Sequence, residues 1–493
     1  MMTDAQKNVP ARLQPFSRYK ARSGESYCLM PFRFLPLDAP RYLLTNFAGE
    51  YVVLAQHLLR AFIRHELPLH SETYDTLKVK HFLLDGDSTV PVDLLAAKYR
   101  TKQAFLSQFT SLFMFVTTLR CNHACTYCQV SACTERAADR DMHSKVAEAA
   151  VEFMFRSPST AIKVEFQGGE SLLNMPALKH IVELALARNE AIGRELEFVI
   201  ATNLSGLTAD ALDFFREHRV HVSTSLDGPR ALHNRNRPRF TGDSYAEVTE
   251  GIQRVKAAMG PDSVSALMTT TRASLCQPRE IVDEYLRQGL SSIFLRSLNP
   301  YGRAVSSDVP DKYTMAEWLA FYREALAYIL DQNRQGTALR EEYTAMLLRK
   351  MLTPYASGYV DLQSPAGIGI GGIVVNYDGN VYCSDESRML AEMGDRKFLM
   401  GNVLRDSYEE IMLSDTLLEP LTTTMTECVP QCSDCGIQPY CGSDPVRHYK
   451  TQHDLVGFKP SSDFCQKHLG VVKHLVHLLE DDEAAASILR TWI

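Results

Sequence analysis

Between residues 106 and 300 the chain alternates between two hydrophobic periods. Short runs rich in β-branched and aromatic residues stand at 112–118, 162–166, 196–201, 220–225, 264–270 and 292–297. Between them lie stretches with apolar residues at helical spacing, at 144–155, 176–190, 209–216, 245–259 and 279–288. Strand then helix, repeated about six times, predicts an α/β fold of parallel strands joined by right-handed crossovers. Six such units form a partial (βα)6 barrel of the TIM type, most of a barrel without its closure. Chemistry in such sheets gathers at the C-terminal ends of the strands.

The flanks have a different texture. In residues 1–105, the stretch 41–54 (RYLLTNFAGEYVVL) reads as two short strands around an Ala-Gly turn. Residues 55–65 have helical spacing, and a second short helix and an apolar stretch at 79–84 follow. Strand, strand, helix, helix and a closing strand predict a small winged-helix-like domain, left through the turn-rich 85–93. Residues 311–360 read as a helical linker. In 361–493, a GIGIGG run (367–372) precedes an apolar stretch, a Tyr-Asp-Gly-Asn turn and Cys383, which is a hairpin signal. One amphipathic helix is expected over 465–492.

Composition narrows the class. The 493 residues are 45% apolar and 23% charged, ordinary values for a globular protein. Against 52 Lys and Arg stand 59 Asp and Glu, a formal charge of −7, which gives no electrostatic reason to expect nucleic acid as a partner. The first twenty residues carry no apolar export segment, and no run of 18 uncharged apolar residues occurs. The expectation is a cytoplasmic protein with no membrane partner. The unusual number is twelve cysteines, nine of them clustered at 121–133 and 428–465, with Cys28, Cys276 and Cys383 apart. Clustered thiols in a reducing compartment point to metal, as iron–sulfur or zinc.

Cys121-x3-Cys125-x2-Cys128 directly follows an expected strand. Three thiolates on a tight loop can hold three corners of a cubane cluster and leave the fourth iron open to a substrate or cofactor. The segment CNHACTYCQV resembles the cluster loop of the radical S-adenosylmethionine (SAM) superfamily. The resemblance implies a [4Fe-4S] cluster whose open iron chelates S-adenosyl-L-methionine, and reductive cleavage to a 5′-deoxyadenosyl radical. It also assigns cofactor contacts. Tyr127 would pack near the adenine, or else only pack the barrel mouth. Gly168 and Gly169, in VEFQGGESLL, would let the backbone approach the cofactor's ammonium group, and Glu170 would order that loop or accept from the ammonium. Thr202 and Asn203, in FVIATNLSG, match ribose contacts, with an Asx turn or helix cap as the alternative. Ser225 and Arg237, from SLDGP and HNRNR, match contacts to the methionine carboxylate, and Asn234 stands where the family has Asp.

The second group, Cys432-x2-Cys435-x5-Cys441, resembles the C-terminal SPASM-type iron–sulfur domain of radical enzymes that act on peptides. Gly401-Asn402-Val403, Cys441-Gly442 and the Asp378-Gly379 turn before Cys383 agree with it. The family pattern assigns Cys432, Cys435, Cys441 and Cys465 to one auxiliary [4Fe-4S] cluster. The family's other auxiliary cluster lacks ligands here, because Ser364 and Pro445 stand at two of its cysteine positions. One auxiliary cluster is therefore expected, with a zinc ribbon as the alternative for the same thiols. Asp385, two residues past Cys383, lies where related enzymes keep a general base.

The whole chain most resembles the B-type maturases of His-Xaa-Ser peptide-modification systems, on LPLDAPRYLLTNFAGEYVVL and CSDCGIQPYCGSDP. The resemblance implies a ribosomally made precursor peptide with His-Xaa-Ser repeats as substrate. It further implies a second radical SAM maturase alongside, a reductant such as flavodoxin or ferredoxin, and a leader recognised by strand addition at the N-terminal domain. Two other readings remain. One is a sulfatase-type maturase that oxidises Ser or Cys to formylglycine. The other is an iron–sulfur electron carrier or sensor without catalysis.

Overall fold

The computed structural model describes residues 26–239, 242–305 and 312–493. The first twenty residues, read above for an export segment, and the 310/311 boundary lie outside the described residues. The chain divides into two compact units.

The first unit comprises residues up to Ala104 together with 350–355 and 434–440. Its sheet runs antiparallel through Phe32–Asp38, Arg41–Asn46 and Tyr51–Ala55, with the middle strand central. Helices Gln56–Ile63 and Glu72–Val79 follow, and the closing strand Leu83–Leu84 pairs with Cys28–Leu29. The expected order is present, with Phe32–Asp38 as an additional strand ahead of it. Tyr27, Leu44, Phe62, Tyr74, Leu77 and Phe82 form a closed core. The 434–440 segment folds against this unit: Thr45 Oγ1 donates to the Gly436 carbonyl at 2.8 Å, and Tyr440 donates to the Gly49 carbonyl at 2.8 Å. A Cβ on Gly436 would lie 2.8 Å from the Leu35 side chain, which would have to shift to admit it.

The second unit is built on a ten-stranded sheet, whose strands are numbered here in chain order. They are β1 (Leu112–Thr118), β2 (Ala161–Gly168), β3 (Glu195–Thr202), β4 (His221–Ser225), β5 (Val264–Thr269), β6 (Ser292–Arg296), β7 (Arg340–Glu341), β8 (Gly372–Val375), β9 (Asn380–Tyr382) and β10 (Leu399–Asn402). Strands β1 to β7 pair in parallel in sequence order, which is the partial barrel. The helices fall between them at Ser144–Phe155, Met175–Asn189, Ala209–His218, Ser244–Met259 and Pro278–Arg287.

Alternation of side chains gives this sheet one apolar face and one more polar face. Ile162, Val164 and Phe166 of β2 are buried, as are Leu178, Ile181 and Val182 of the helix that follows. The intervening Lys163, Glu165 and Gln167 point the other way. The hairpin after residue 360 does not form a separate layer. Its strand β8 pairs in parallel with β1, and β9 and β10 extend the sheet antiparallel. An unpaired β1 would expose a row of backbone donors and acceptors, and β8 satisfies them.

The last expected helix is two: Asp463–Asp481 and Glu483–Arg490. The break falls at Asp482, whose carboxylate accepts from the Ala485 amide at 2.9 Å and starts the second helix. Among the described residues no helix is long and apolar enough to cross a membrane. Asp482→Ala removes this cap and is expected to lower the unfolding free energy by about 1 kcal/mol in urea titrations.

Candidate functional site

The C-terminal ends of β1 to β6 open onto a cavity of about 230 Å³. Cys121, Cys125, Tyr127, Cys128, Gly168, Gly169, Thr202, Asn203, Ser225, Arg237 and Asp385 all line it. Ten residues marked from the sequence as cluster or cofactor contacts, and the marked acid, thus meet in one space. Of the residues assigned to the first cluster and its cofactor, Glu170 alone is off the lining, wholly buried behind the wall, and the four auxiliary-cluster cysteines lie elsewhere.

The cysteine loop is held at several points along its backbone. The Ala124 amide donates to Pro238 and the Thr126 amide to Asn236, each at 2.9 Å. The Cys128 carbonyl accepts from the Arg303 amide at 2.8 Å. Arg120 and Cys121 pair with Cys133 and Thr134, so Cys133, which has no ligand role in the sequence reading, closes the loop's return. All three thiols are half-buried. Burial, first, pushes the Cys125 thiol up to about 11.

The glycines serve the protein's own backbone. Gly169 donates to the Thr118 carbonyl at 2.9 Å, and Glu170 to the Arg120 carbonyl at 2.7 Å. A Cβ on Gly168 would lie 1.9 Å from Thr118 O, and one on Gly169 would lie 2.2 Å from Arg120 O. The GGE segment is therefore stitched to the strand that enters the cysteine loop, at a separation only glycine permits.

Glu170 orders the next strand end. Its carboxylate accepts from Thr202 Oγ1 at 2.6 Å, the Asn203 amide at 2.7 Å and the Leu172 amide at 2.9 Å. Burial pushes this carboxyl up to about 7, and the three donors pull against it. Asn203 in turn donates to Asn122 Oδ1 at 2.9 Å, next to Cys121. His123 bonds Ser244 at 2.8 Å, and His233 bonds the same hydroxyl at 3.0 Å. A belt of side-chain hydrogen bonds thus joins the ends of β3 and β4 to the cysteine loop.

Asp227 is the residue whose importance the sequence reading passed over. It is fully buried just past β4. Its carboxylate accepts from Tyr127 Oη at 2.7 Å, Arg237 Nε at 3.1 Å, Asn236 Nδ2 at 3.3 Å and the Thr269 amide at 3.3 Å. The Arg237 guanidinium also lies 5.2 Å from the Tyr127 ring centre. Tyr127 and Arg237 are therefore oriented by a protein carboxylate, while both still line the cavity. The motif SLDGP contained the signal, since a carboxylate at a parallel strand end has few solvent-free alternatives to pairing. Asn234, at the family's Asp position, binds Asp243 and the Tyr245 amide and helps start helix Ser244–Met259.

Asp385 lines the cavity but is held by the wholly buried Arg388, whose Nε and Nη2 donate at 3.0 and 2.8 Å. The wall also includes Glu165, Gln167, Arg296 and Met389, none marked from the sequence. They sit on strand and helix positions with no motif around them, so only the folded arrangement reveals them.

The second cysteine group is distributed over the chain's two units. Cys435 lies in the 434–440 segment of the first, and Cys432, Cys441 and Cys465 lie in the second. Among the described residues no three His, Cys, Asp or Glu side chains converge closely enough for a single metal ion. A cubane holds its thiolates at separate corners, a wider spacing than ligands of one ion need. Ser364, at the missing-ligand position, is committed elsewhere. Its hydroxyl donates to Glu427 at 2.6 Å and accepts from the Thr426 amide at 2.9 Å.

The architecture defines a partial-barrel protein with three thiols at the mouth of a polar cavity. Residues 115–284 match the radical SAM superfamily, and the chain carries a radical SAM domain. The serine-type anaerobic sulfatase-maturating enzyme of Bacteroides thetaiotaomicron is 30% identical over 141 residues, 28% of this chain and 34% of that enzyme. Native anSMEcpe with bound AdoMet shares the fold at a TM-score of 0.63 and 16% identity, over 78% of this chain and 99% of that one. Streptococcus suis SuiB bound to the precursor peptide SuiA does so at 0.51 and 13%, over 89% and 100%.

Asp227→Asn leaves the buried Arg237 charge without its counterion. The expected loss is about 3–5 kcal/mol of stability by chemical unfolding. Asp227→Glu should lose less, because it keeps the charge.

Proposed function

We propose that this protein is a radical SAM enzyme that modifies a ribosomally made peptide, and that its substrate is a precursor with His-Xaa-Ser repeats. The observation that carries the radical reading is the convergence of three soft thiols, the diglycine turn and the strand-end polar residues on one cavity. The donor set fits the group: Cys121, Cys125 and Cys128 would hold a [4Fe-4S] cluster, and its reaction with S-adenosyl-L-methionine would supply a 5′-deoxyadenosyl radical. The rest of the work belongs to the chain's own residues. Tyr127 and Arg237, fixed by Asp227, present an aromatic face and guanidinium hydrogens to the cofactor. Ser225, Thr202 and Asn203 offer hydroxyl and amide contacts at adjacent strand ends. The belt through Glu170 holds these groups in place before binding, which is where positioning gains rate.

The peptide reading is supported by neighbours of the same fold. SuiB binds the precursor SuiA, and anSMEcpe binds AdoMet with the Cp18Cys peptide. The N-terminal sheet would take a leader along an outer strand, and Phe34 on Phe32–Asp38 is 46% exposed there. Cys432, Cys435, Cys441 and Cys465 would hold one auxiliary [4Fe-4S] cluster. The engagement of Ser364 with Glu427 and Thr426 favours one auxiliary cluster over two. A flavodoxin or ferredoxin would deliver the electron, and a second radical SAM maturase would act on the same peptide. Asp385 would take part in proton handling only through its pair with Arg388. The similarity to the Bacteroides enzyme supports a second reading, oxidation of a peptide Ser or Cys to formylglycine.

Anaerobic reconstitution tests the assignments. About eight irons per chain are expected from two clusters of four, and about twelve would overturn the single auxiliary cluster. Colourless protein that retains zinc would place a zinc ribbon at the second thiol group. With strong reductant the holoenzyme should release 5′-deoxyadenosine, and none with intact clusters would favour an electron carrier. Co-expression with a His-Xaa-Ser peptide should yield a mass change confined to the repeats. A loss of two hydrogens at Ser in a sulfatase-type peptide alone would favour the formylglycine reading.

Recognition by the N-terminal sheet calls for a point substitution, because deletion of residues 1–100 would also strip the partners of Gly436 and Tyr440. Phe34→Asp should weaken leader binding several-fold in fluorescence anisotropy with an unchanged thermal midpoint, and equal binding would remove this role.

A further inference from the structure

The cavity wall away from the cysteine loop carries a carboxylate that the cofactor assignments do not use. Glu165 sits on β2, three residues before Gly168, in the row Lys163, Glu165, Gln167 that faces the barrel interior. Its hydrogen-bond partner is the Gln167 amide, which donates at 2.8 Å.

The cations around it are engaged with other carboxylates. Lys163 Nζ lies 2.8 Å from Glu197. Arg388 Nη2 lies 2.8 Å from Asp385. Arg296 Nη2 lies 3.9 Å from Glu386, and Asp361 and Asp385 also act on it. Among the described residues, Glu165 is left with an amide and no cation in contact. Burial, first, holds its carboxyl above the usual range. Gln167 and Lys163 act against the shift, Asp385 adds to it, and Arg296 opposes it. A half-buried carboxylate so placed on the cavity wall is stabilised by any cation that enters the cavity.

The polar neighbours of this group differ from those that hold Tyr127 and Arg237. Tyr127 and Arg237 converge on Asp227 at the cysteine-loop side, and Glu165 is acted on by Asp385 and Arg296. We propose that Glu165, braced by Gln167, is the substrate-facing anion of the cavity and selects a peptide whose side chain at the reacting position is a cation. The inference rests on the peptide-modifying reading and names the chemistry of its substrate. A Lys ammonium, an Arg guanidinium or a protonated His supplies the charge and the donors that Glu165 lacks. Glu165 acts here as a positioning residue.

The test uses reconstituted full-length protein with S-adenosyl-L-methionine and three peptides, Gly-Ser-Xaa-Ser-Gly with Xaa as Lys, norleucine or Glu. Wild type should bind the Lys peptide about tenfold or more tightly than the norleucine peptide, the difference expected of a charge-assisted hydrogen bond. In Glu165→Gln the ratio should fall to about one, Glu165→Asp should restore part of it, and Glu165→Lys should turn the preference toward the Glu peptide. Thermal unfolding reports whether each variant folds. If Glu165→Gln does not fold, the Lys-to-norleucine ratio in Glu165→Asp and the preference of Glu165→Lys decide, and a wild-type ratio retained in both overturns the proposal.

Equal wild-type affinity for the Lys and norleucine peptides, or no binding of any of the three, overturns the proposal. A ratio unchanged in Glu165→Gln overturns it as well. Release of 5′-deoxyadenosine by peptide-free wild type is measured separately. Its absence overturns the radical reading while the peptide comparison still decides whether Glu165 selects a cation.

Discussion

The buried Asp227 carboxylate is the constraint on which the cavity depends. A carboxylate with no solvent contact persists as an anion only if donors surround it. Tyr127, Asn236, Arg237 and the Thr269 amide supply them. They come from three parts of the fold: the cysteine loop, the short helix Arg230–Asn236 after β4 with its exit at Arg237, and the end of β5. One charge therefore draws three separate segments to the same point. Tyr127 is also bound covalently next to Cys128, so the orientation of the aromatic ring and the path of the thiol loop are set together.

A second device acts on the opposite side of the loop. Gly168 and Gly169 bring the end of β2 within hydrogen-bond distance of Thr118 and Arg120, where a Cβ would collide with carbonyl oxygens. Glu170 then ties that turn to Thr202 and Asn203. Glycine here is a requirement of backbone packing, whatever it also gives a bound cofactor. The cavity is thus framed by one buried carboxyl group on each side, Asp227 and Glu170, and both hold groups that line the cavity.

Much of the second unit was legible in the sequence, because strand and helix periods alternate there without interruption. Strand β1 and helix Ser144–Phe155 fall where the pattern puts them. The long C-terminal helix did not, since apolar spacing runs through Asp482 and only the capping bond from the Ala485 amide to Asp482 reveals the break. Neither did the parallel pairing of β8 with β1, which joins strands more than 250 residues apart in sequence and leaves no local signal. The Cys435–Tyr440 loop likewise reads as part of one cysteine motif, yet residues 434–440 fold with the N-terminal unit.

The sequence by itself determined the class of chemistry, since thiol spacing and strand-end motifs are local and survive without knowledge of packing. It named Cys121, Cys125 and Cys128, the diglycine and the polar strand ends, and all of them line one cavity. Tertiary structure decided how charges are shared, because electrostatic partnership depends on distances that sequence order does not encode. It paired Asp385 with Arg388, gave Arg237 to Asp227, and left Glu165 facing the cavity with only an amide. Those pairings decide which carboxylate faces the cavity without a cation in contact.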